Sequence, residues 1–241
     1  MLKQIKQDLQ KLANKEKAWI LQRFFKTGKG QYGEGDIFLG IVVPEQRKIA
    51  KKYSELTLTD IQKLLNSKAH EHRLTSLYIL IDKYKKADEK NKEKIYQFYL
   101  SNTKQINNWD LVDLSAPNII GDYLLNNHAQ TCGKTDKSRK ILYKLVKSKN
   151  LWERRIAIIS TFKFIRDNQF TDTLKISELL LTDTHDLIHK AVGWMLREVG
   201  KRDQQLLEKF LDKHIHKMPR IMLRYAIERF SENKIKSYLK K

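Results

Sequence analysis

Long runs without a helix breaker constrain this chain most: its 241 residues hold only 3 prolines and 9 glycines. Across those runs apolar residues recur at the 3.6-residue helical period. Leu74, Leu77, Ile81 and Tyr84 form one stripe, and Ile141, Leu142, Leu145 and Val146 form another. The class expected is all-α. Short polar turns at Ser101-Asn102-Thr103, Ser148-Lys149-Asn150, Thr182-Asp183-Thr184 and Ser231-Glu232-Asn233 break the pattern and offer N-cap chemistry to the helix that follows. Successive helices of this kind, with no strands between them, predict HEAT-like repeats stacked as a curved solenoid in a single domain, 1–241. A compact irregular bundle is the alternative architecture.

One segment cannot be helical. Residues 26–36, Lys26 to Asp36, hold four of the glycines. Gly28, Gly30 and Gly33 match the dinucleotide fingerprint G-x-G-x-x-G, but that motif works between a strand and a helix, and here a helical segment precedes it. A plain connection and a DNA-contacting loop are the two uses that remain. In the second, backbone amides and Lys26 and Lys29 would meet phosphate, and Lys29 and Tyr32 are the loop's candidate contacts.

Charge narrows the partner. Lysine and arginine total 48 against 28 acidic residues, a net +20, which favours a polyanion, nucleic acid first. Anionic lipid, the ribosome or a lysine-rich proteome would give the same count, so position has to decide. Cys132 is the lone cysteine, which excludes an internal disulfide and a structural thiolate zinc site. No run approaches the roughly 20 apolar residues of a membrane span, and the N-terminus has no apolar export signal. The expectation is a cytoplasmic protein near the nucleoid, with no membrane partner and no metal or organic cofactor, acting as a monomer.

Position places the cations on two stripes. Over Leu187 to Arg202, Lys190, Trp194, Arg197 and Lys201 share one helix face, while Ile188, Ala191, Val192, Met195 and Val199 share the opposite one. Over Leu151 to Arg166, Trp152, Arg155, Ile159, Lys163 and Arg166 likewise follow a single face, with Ala157, Ile158, Phe164 and Ile165 behind. Stacked as neighbours, two such helices would form a concave basic face suited to duplex DNA.

Within so basic a chain, Asn107-Asn108-Trp109-Asp110-Leu111-Val112-Asp113 sets an indole and a carboxylate one helical turn apart. A carboxylate repels phosphate, so one on a DNA-facing surface needs a reason, and chemistry on a cationic group supplies one. A core tryptophan beside a solvated aspartate is the plain alternative.

These motifs together carry a resemblance. Phe38-Leu39-Gly40-Ile41 with Pro44 and Arg47, then Asn108 to Asp113, Leu151 to Arg155, and Lys190 to Glu198 resemble, in order, the AlkD-type DNA alkylation repair glycosylases from about residue 18 to about 230. The resemblance implies a HEAT-like fold and a monofunctional glycosylase. Such an enzyme excises cationic N3- and N7-alkylated purines, chiefly 3-methyladenine and 7-methylguanine, from duplex DNA for base excision repair without flipping the base. It implies that Asp113 is the catalytic carboxylate, that Trp109 and Trp194 are active-site indoles, and that Arg155 lies near the DNA backbone. Phe24 stands where the family's third aromatic is expected. The glycine loop is longer here than the family's pattern. A helical-repeat protein that binds DNA structures without catalysis is the alternative function.

Overall fold

The computed structural model describes residues 1–130 and 139–240; Cys132 lies outside the described residues. The regular elements among those residues are all helices, and their sole β feature is a bridge between Ile37 and Ala69. The all-α class read from the periodicity is the fold observed. Among the described residues no helix is long and apolar enough to cross a membrane.

The chain packs as two compact units, Met1–Leu111 and Val112–Lys241. The first contains α1 (Leu2–Lys11), α2 (Lys15–Phe24), α3 (Val43–Lys52), α4 (Leu58–Leu65), α5 (His70–Lys86) and α6 (Glu89–Ser101), and the boundary falls inside α7 (Trp109–Ala116). In the second, a π-helical turn at Pro117–Gly121 leads to α8 (Asp122–Gln130), α9 (Lys140–Leu145), α10 (Leu151–Ser160) and α11 (Phe162–Arg166). Then follow α12 (Thr171–Leu179), α13 (Asp186–Gly200), α14 (Gln204–His214), α15 (Arg220–Ala226) and α16 (Glu232–Lys240).

In the first unit α5 is the central helix, packed by α3 and α4. The predicted stripe of Leu74, Leu77, Ile81 and Tyr84 is its buried face. By contrast α2 buries none of its residues and exposes Trp19, Ile20 and Phe24. In the second unit α13 is central, against α10, α14 and α15.

The polar turns cap less regularly than their composition predicts. Asn150 caps α10 through the Trp152 amide at 2.9 Å. His185, not the turn before it, caps α13 through the Leu187 amide, while Asp183 accepts from the His185 amide. Asn102 is turned inward and donates to the Phe98 carbonyl at 2.8 Å. It therefore closes the end of α6 instead of opening α7, because its side chain is buried against the helix it follows.

Gly193 shows how closely the central helix is approached. A Cβ placed there would lie 2.6 Å from the Met222 carbonyl oxygen and 2.5 Å from Tyr225 Cβ, both on α15. Alanine is the better helix former by about 1 kcal/mol, but here it must push α15 away. Gly193→Ala is expected to lower stability by roughly 1–3 kcal/mol net, read as a depressed thermal midpoint; an unchanged or raised midpoint contradicts the close packing.

Candidate functional site

Two groups of side chains stand out, one in each unit. In the second unit the carboxylate of Asp113 meets the guanidinium of Arg155 fork to fork. Arg155 donates from Nε to Oδ1 and from Nη2 to Oδ2, each at 2.8 Å, and its Nη1 donates to the Leu187 carbonyl. The Arg155 side chain is 5% exposed and that of Asp113 is 19% exposed. A buried guanidinium needs such a partner, and the paired geometry fixes both oxygens of the acid. The acid keeps part of its surface in solvent.

Trp194 is half-buried on α13, its ring 5.7 Å from that of Phe162. The Arg166 guanidinium lies 4.9 Å over the other end of this pair, at Phe162. The face of α13 divides as its periodicity predicts. Ile188, Ala191, Val192, Met195 and Val199 are fully buried, and Lys190, Trp194, Arg197 and Lys201 are not. The three cations all have acidic partners in the free protein. Lys190 pairs with Asp186 at 3.0 Å, Lys201 with Glu198 at 2.8 Å, and Arg197 with Glu228.

The stripe over Leu151 to Arg166 is corrected. The helix breaks at Thr161, and Trp152, Arg155 and Ile159 are buried. Arg155 to Ser160 are buried on every side of α10, so the face holding Trp152 and Arg155 is interior and not the exposed basic stripe expected. Lys163 and Arg166, beyond the break, reach solvent, Lys163 in an ion pair with Asp122 at 2.6 Å.

In the first unit, Trp109 heads a column of rings. It stacks on Phe25 at 5.0 Å and 14°, Phe25 on Phe38 at 4.8 Å and 21°, and Phe38 on the His70 imidazole at 4.5 Å and 21°, while His70 also meets Phe25 directly at 5.2 Å and 37°, so the last three rings form a cluster. Phe24, the aromatic expected here from α2, is 61% exposed and meets Trp109 edge-on at 5.9 Å. Phe25, the next residue, supplies the stacked contact and was not singled out by sequence. Beside the column lies a cleft of about 370 Å³ lined by Phe24, Phe25, Phe38, His70, Glu71 and Asp110, among others.

A charged network closes the column. His70 Nε2 lies 2.8 Å from Asp110 Oδ2 and its Nδ1 lies 3.3 Å from Asp36 Oδ2. Arg73 donates to the same Asp36 oxygen at 2.6 Å. Burial opposes charge on His70, but the Asp110 carboxylate and hydrogen bonds to Asp110 and Asp36 outweigh it, raising its pKa to about 8. Asp36 is held below the usual carboxylate range despite burial, by the His70 hydrogen bond and by Arg73. Glu71 accepts the backbone amides of Leu39, Gly40 and Ile41. Gly40 has φ +81 and sits where a Cβ would strike the Asn14 carbonyl at 2.1 Å, which accounts for the glycine in Phe38-Leu39-Gly40-Ile41.

The glycine loop is an irregular connection between α2 and α3, as expected. Its amides are engaged internally: Gly28 donates to Gln31 Oε1, Gly30 to Glu34 Oε2, and Gly33 to the Lys26 carbonyl. A phosphate contact through those amides is therefore not preformed, and Lys29, exposed, and Tyr32, half-buried, are what the loop offers. Among the described residues no cluster of three or more histidine, cysteine or acidic side chains could hold a metal ion.

Two outcomes follow from these networks. Replacing Arg155 by methionine strands a largely buried carboxylate and is expected to cost roughly 3 kcal/mol. Arg155→Lys recovers little of it, since an ammonium cannot make two parallel bonds; a loss under about 1 kcal/mol by chemical denaturation contradicts a structural pair. His70 has a folded pKa above its ordinary 6.5, so its stabilisation is complete below pH 6.5 and is lost as pH rises through about 8. Stability is expected to fall by about 2 kcal/mol over that window and to lose the slope in His70→Gln; a flat wild-type profile there refutes the charged clamp.

A family model for the DNA alkylation repair enzyme matches residues 5–230. A solved structure described as a predicted DNA alkylation repair enzyme from Enterococcus faecalis shares the fold, with a TM-score of 0.70 over 91% of this chain and 97% of that one at 16% identity. No curated protein matches the sequence. With its sequence matched almost from end to end, the chain belongs to the DNA alkylation repair enzyme family.

Proposed function

We propose that this protein is a DNA glycosylase that hydrolyses the N-glycosidic bond of N3- and N7-alkylated purines in duplex DNA. The observation that carries the reading is the Asp113 carboxylate, held rigidly by a buried guanidinium yet partly in solvent, in a DNA alkylation repair protein of net charge +20.

The chemistry needs little else. Alkylation at a ring nitrogen leaves the purine cationic, so the C1′–N bond breaks with its electron pair returning to the ring, and the base departs neutral. The deoxyribose left behind has oxocarbenium character. A fixed carboxylate stabilises that charge and orients a water for attack at C1′, accepting its proton as the new C–O bond forms. Arg155 serves as the residue that aims Asp113. The indoles of Trp109 and Trp194 offer π faces to a cationic lesion or to the sugar. Lys190, Arg197, Lys201, Lys163, Arg166 and Lys29 are the cations suited to phosphate. Selectivity then comes from the lesion's own charge, and the base need not leave the stack.

The reading is tested by base release from a duplex containing 7-methylguanine. Wild type is expected to release the base, and Asp113→Asn to lose at least about 10³-fold in rate with duplex affinity preserved. Affinity should fall by orders of magnitude from low to moderate salt. Binding without release of 7-methylguanine or 3-methyladenine by the wild type overturns the glycosylase and leaves a DNA-structure binder.

A further inference from the structure

The structure assigns His70 as the positioning residue for Trp109: as an imidazolium clamped between Asp36 and Asp110 it sets how the indole is presented, so that removing its proton re-orients the ring. The inference rests on the proposed function only in giving Trp109 a lesion to meet.

His70 reaches Trp109 by two independent routes. One is the cluster of rings, in which the imidazole touches both Phe38 and Phe25, and Phe25 supports the indole. The other is the backbone on both sides of Trp109. Asp110, the residue after it, is tied to His70 Nε2 at 2.8 Å. Asn108, the residue before it, accepts the Trp109 amide at 2.8 Å and donates to the Asp36 oxygen that also faces His70 Nδ1. Trp109 is thus held by its ring face and by both chain neighbours, and every one of these restraints ends at His70 or at its partner Asp36.

His70 can donate to both acids only with both ring nitrogens protonated. A neutral imidazole donates from one nitrogen and presents a lone pair from the other. Here a lone pair on Nε2 would point at Asp110 alone, whereas one on Nδ1 would face Asp36 at 3.3 Å and also Arg73 Nη2, a donor at 3.4 Å. The neutral ring therefore keeps its proton toward Asp110, accepts from Arg73 on Nδ1, and loses its bond to Asp36. Opening there moves the oxygen to which Asn108 donates, and Asn108 in turn accepts the Trp109 amide. Deprotonation also removes the cation from the face of Phe38.

The charged groups facing His70 are few. Asp36 comes from the loop before α3, Asp110 from α7, and Arg73 from α5 itself, which partly offsets the two acids. Glu71, next along α5, is spent on the amides of Leu39 to Ile41. Helix α2 and the segment after the glycine loop contribute the uncharged rings of Phe25 and Phe38, and Lys17 lines the same cleft. That cleft gives the imidazole a route to solvent for exchange of its proton.

The test reads Trp109 without DNA. Tryptophan side chains are labelled with ¹³C, the Trp109 ring signals are assigned by Trp109→Phe, and their shifts are followed from about pH 6 to about pH 9.5, a range that brackets the ordinary histidine value and the raised one. One step with a midpoint near the His70 value of about 8 is expected, while exposed Trp19 stays flat. Asp110→Asn keeps a hydrogen-bonding partner but removes its charge, and is expected to move the midpoint down by about one unit or more. His70→Gln abolishes the step; should that variant fail to fold, Asp110→Asn decides alone. A Trp109 signal that does not titrate, or a midpoint that Asp110→Asn leaves in place, overturns the inference. A protein that shows the step yet releases no base at any pH overturns the glycosylase and not the clamp.

Discussion

Buried cations that must be matched by carboxylates organise this protein around the residues proposed for its chemistry. Taking a guanidinium out of water costs several kcal/mol, and the attraction to one carboxylate repays it only with good geometry. Arg155 meets that condition through two parallel bonds to Asp113 and a third to a backbone carbonyl. Apolar residues of similar volume would stabilise α10 at least as well. What an apolar core cannot do is hold an acid in one orientation beside solvent, and the pair makes most sense as a device for doing so.

The first unit uses the same principle with a titratable cation. Asp36 collects Arg73, His70 and Asn108 on one oxygen, and the imidazole passes the restraint through stacked rings to Trp109. An arginine at position 70 would carry a permanent charge but lacks the flat, compact ring that continues the column. Histidine supplies both shape and charge, and in doing so makes the restraint depend on pH.

The fold class was legible because few breakers and a clear 3.6-residue period leave little choice. The stripe on α13 was legible for a related reason, as a helix with one wet face has one apolar face. The stripe on α10 was not. Six consecutive residues, Arg155 to Ser160, are buried there, and in a helix buried on all sides a polar line marks an internal ion pair instead of a surface. Asp113 and Trp109 drew notice by their spacing, and the roles proposed for them come from the family resemblance. His70 did not, since Asp36 and Asp110 lie 34 and 40 residues away and nothing local announces the pairing. Phe24 was expected from the resemblance, which places an aromatic on α2; that helix ends at Phe24, and Phe25, just past it, is the ring that turns inward to stack on Trp109.

Exposure, more than the presence of an acidic partner, sorts the cations by task. Lys190, Arg197 and Lys201 are all paired in the free protein, with side chains 34%, 19% and 48% exposed. Pairs open to water are worth at most about 1 kcal/mol, so a phosphate can replace the carboxylate at little cost, and the acidic partner is rehydrated as it leaves. Arg155 is a different case at 5%, since exchanging its carboxylate for phosphate would strand Asp113 inside the protein. On the proposed function, a chain of net charge +20 would devote its exposed cations to gripping a polyanion and its buried ones to aiming an acid, with burial setting the boundary between the two groups.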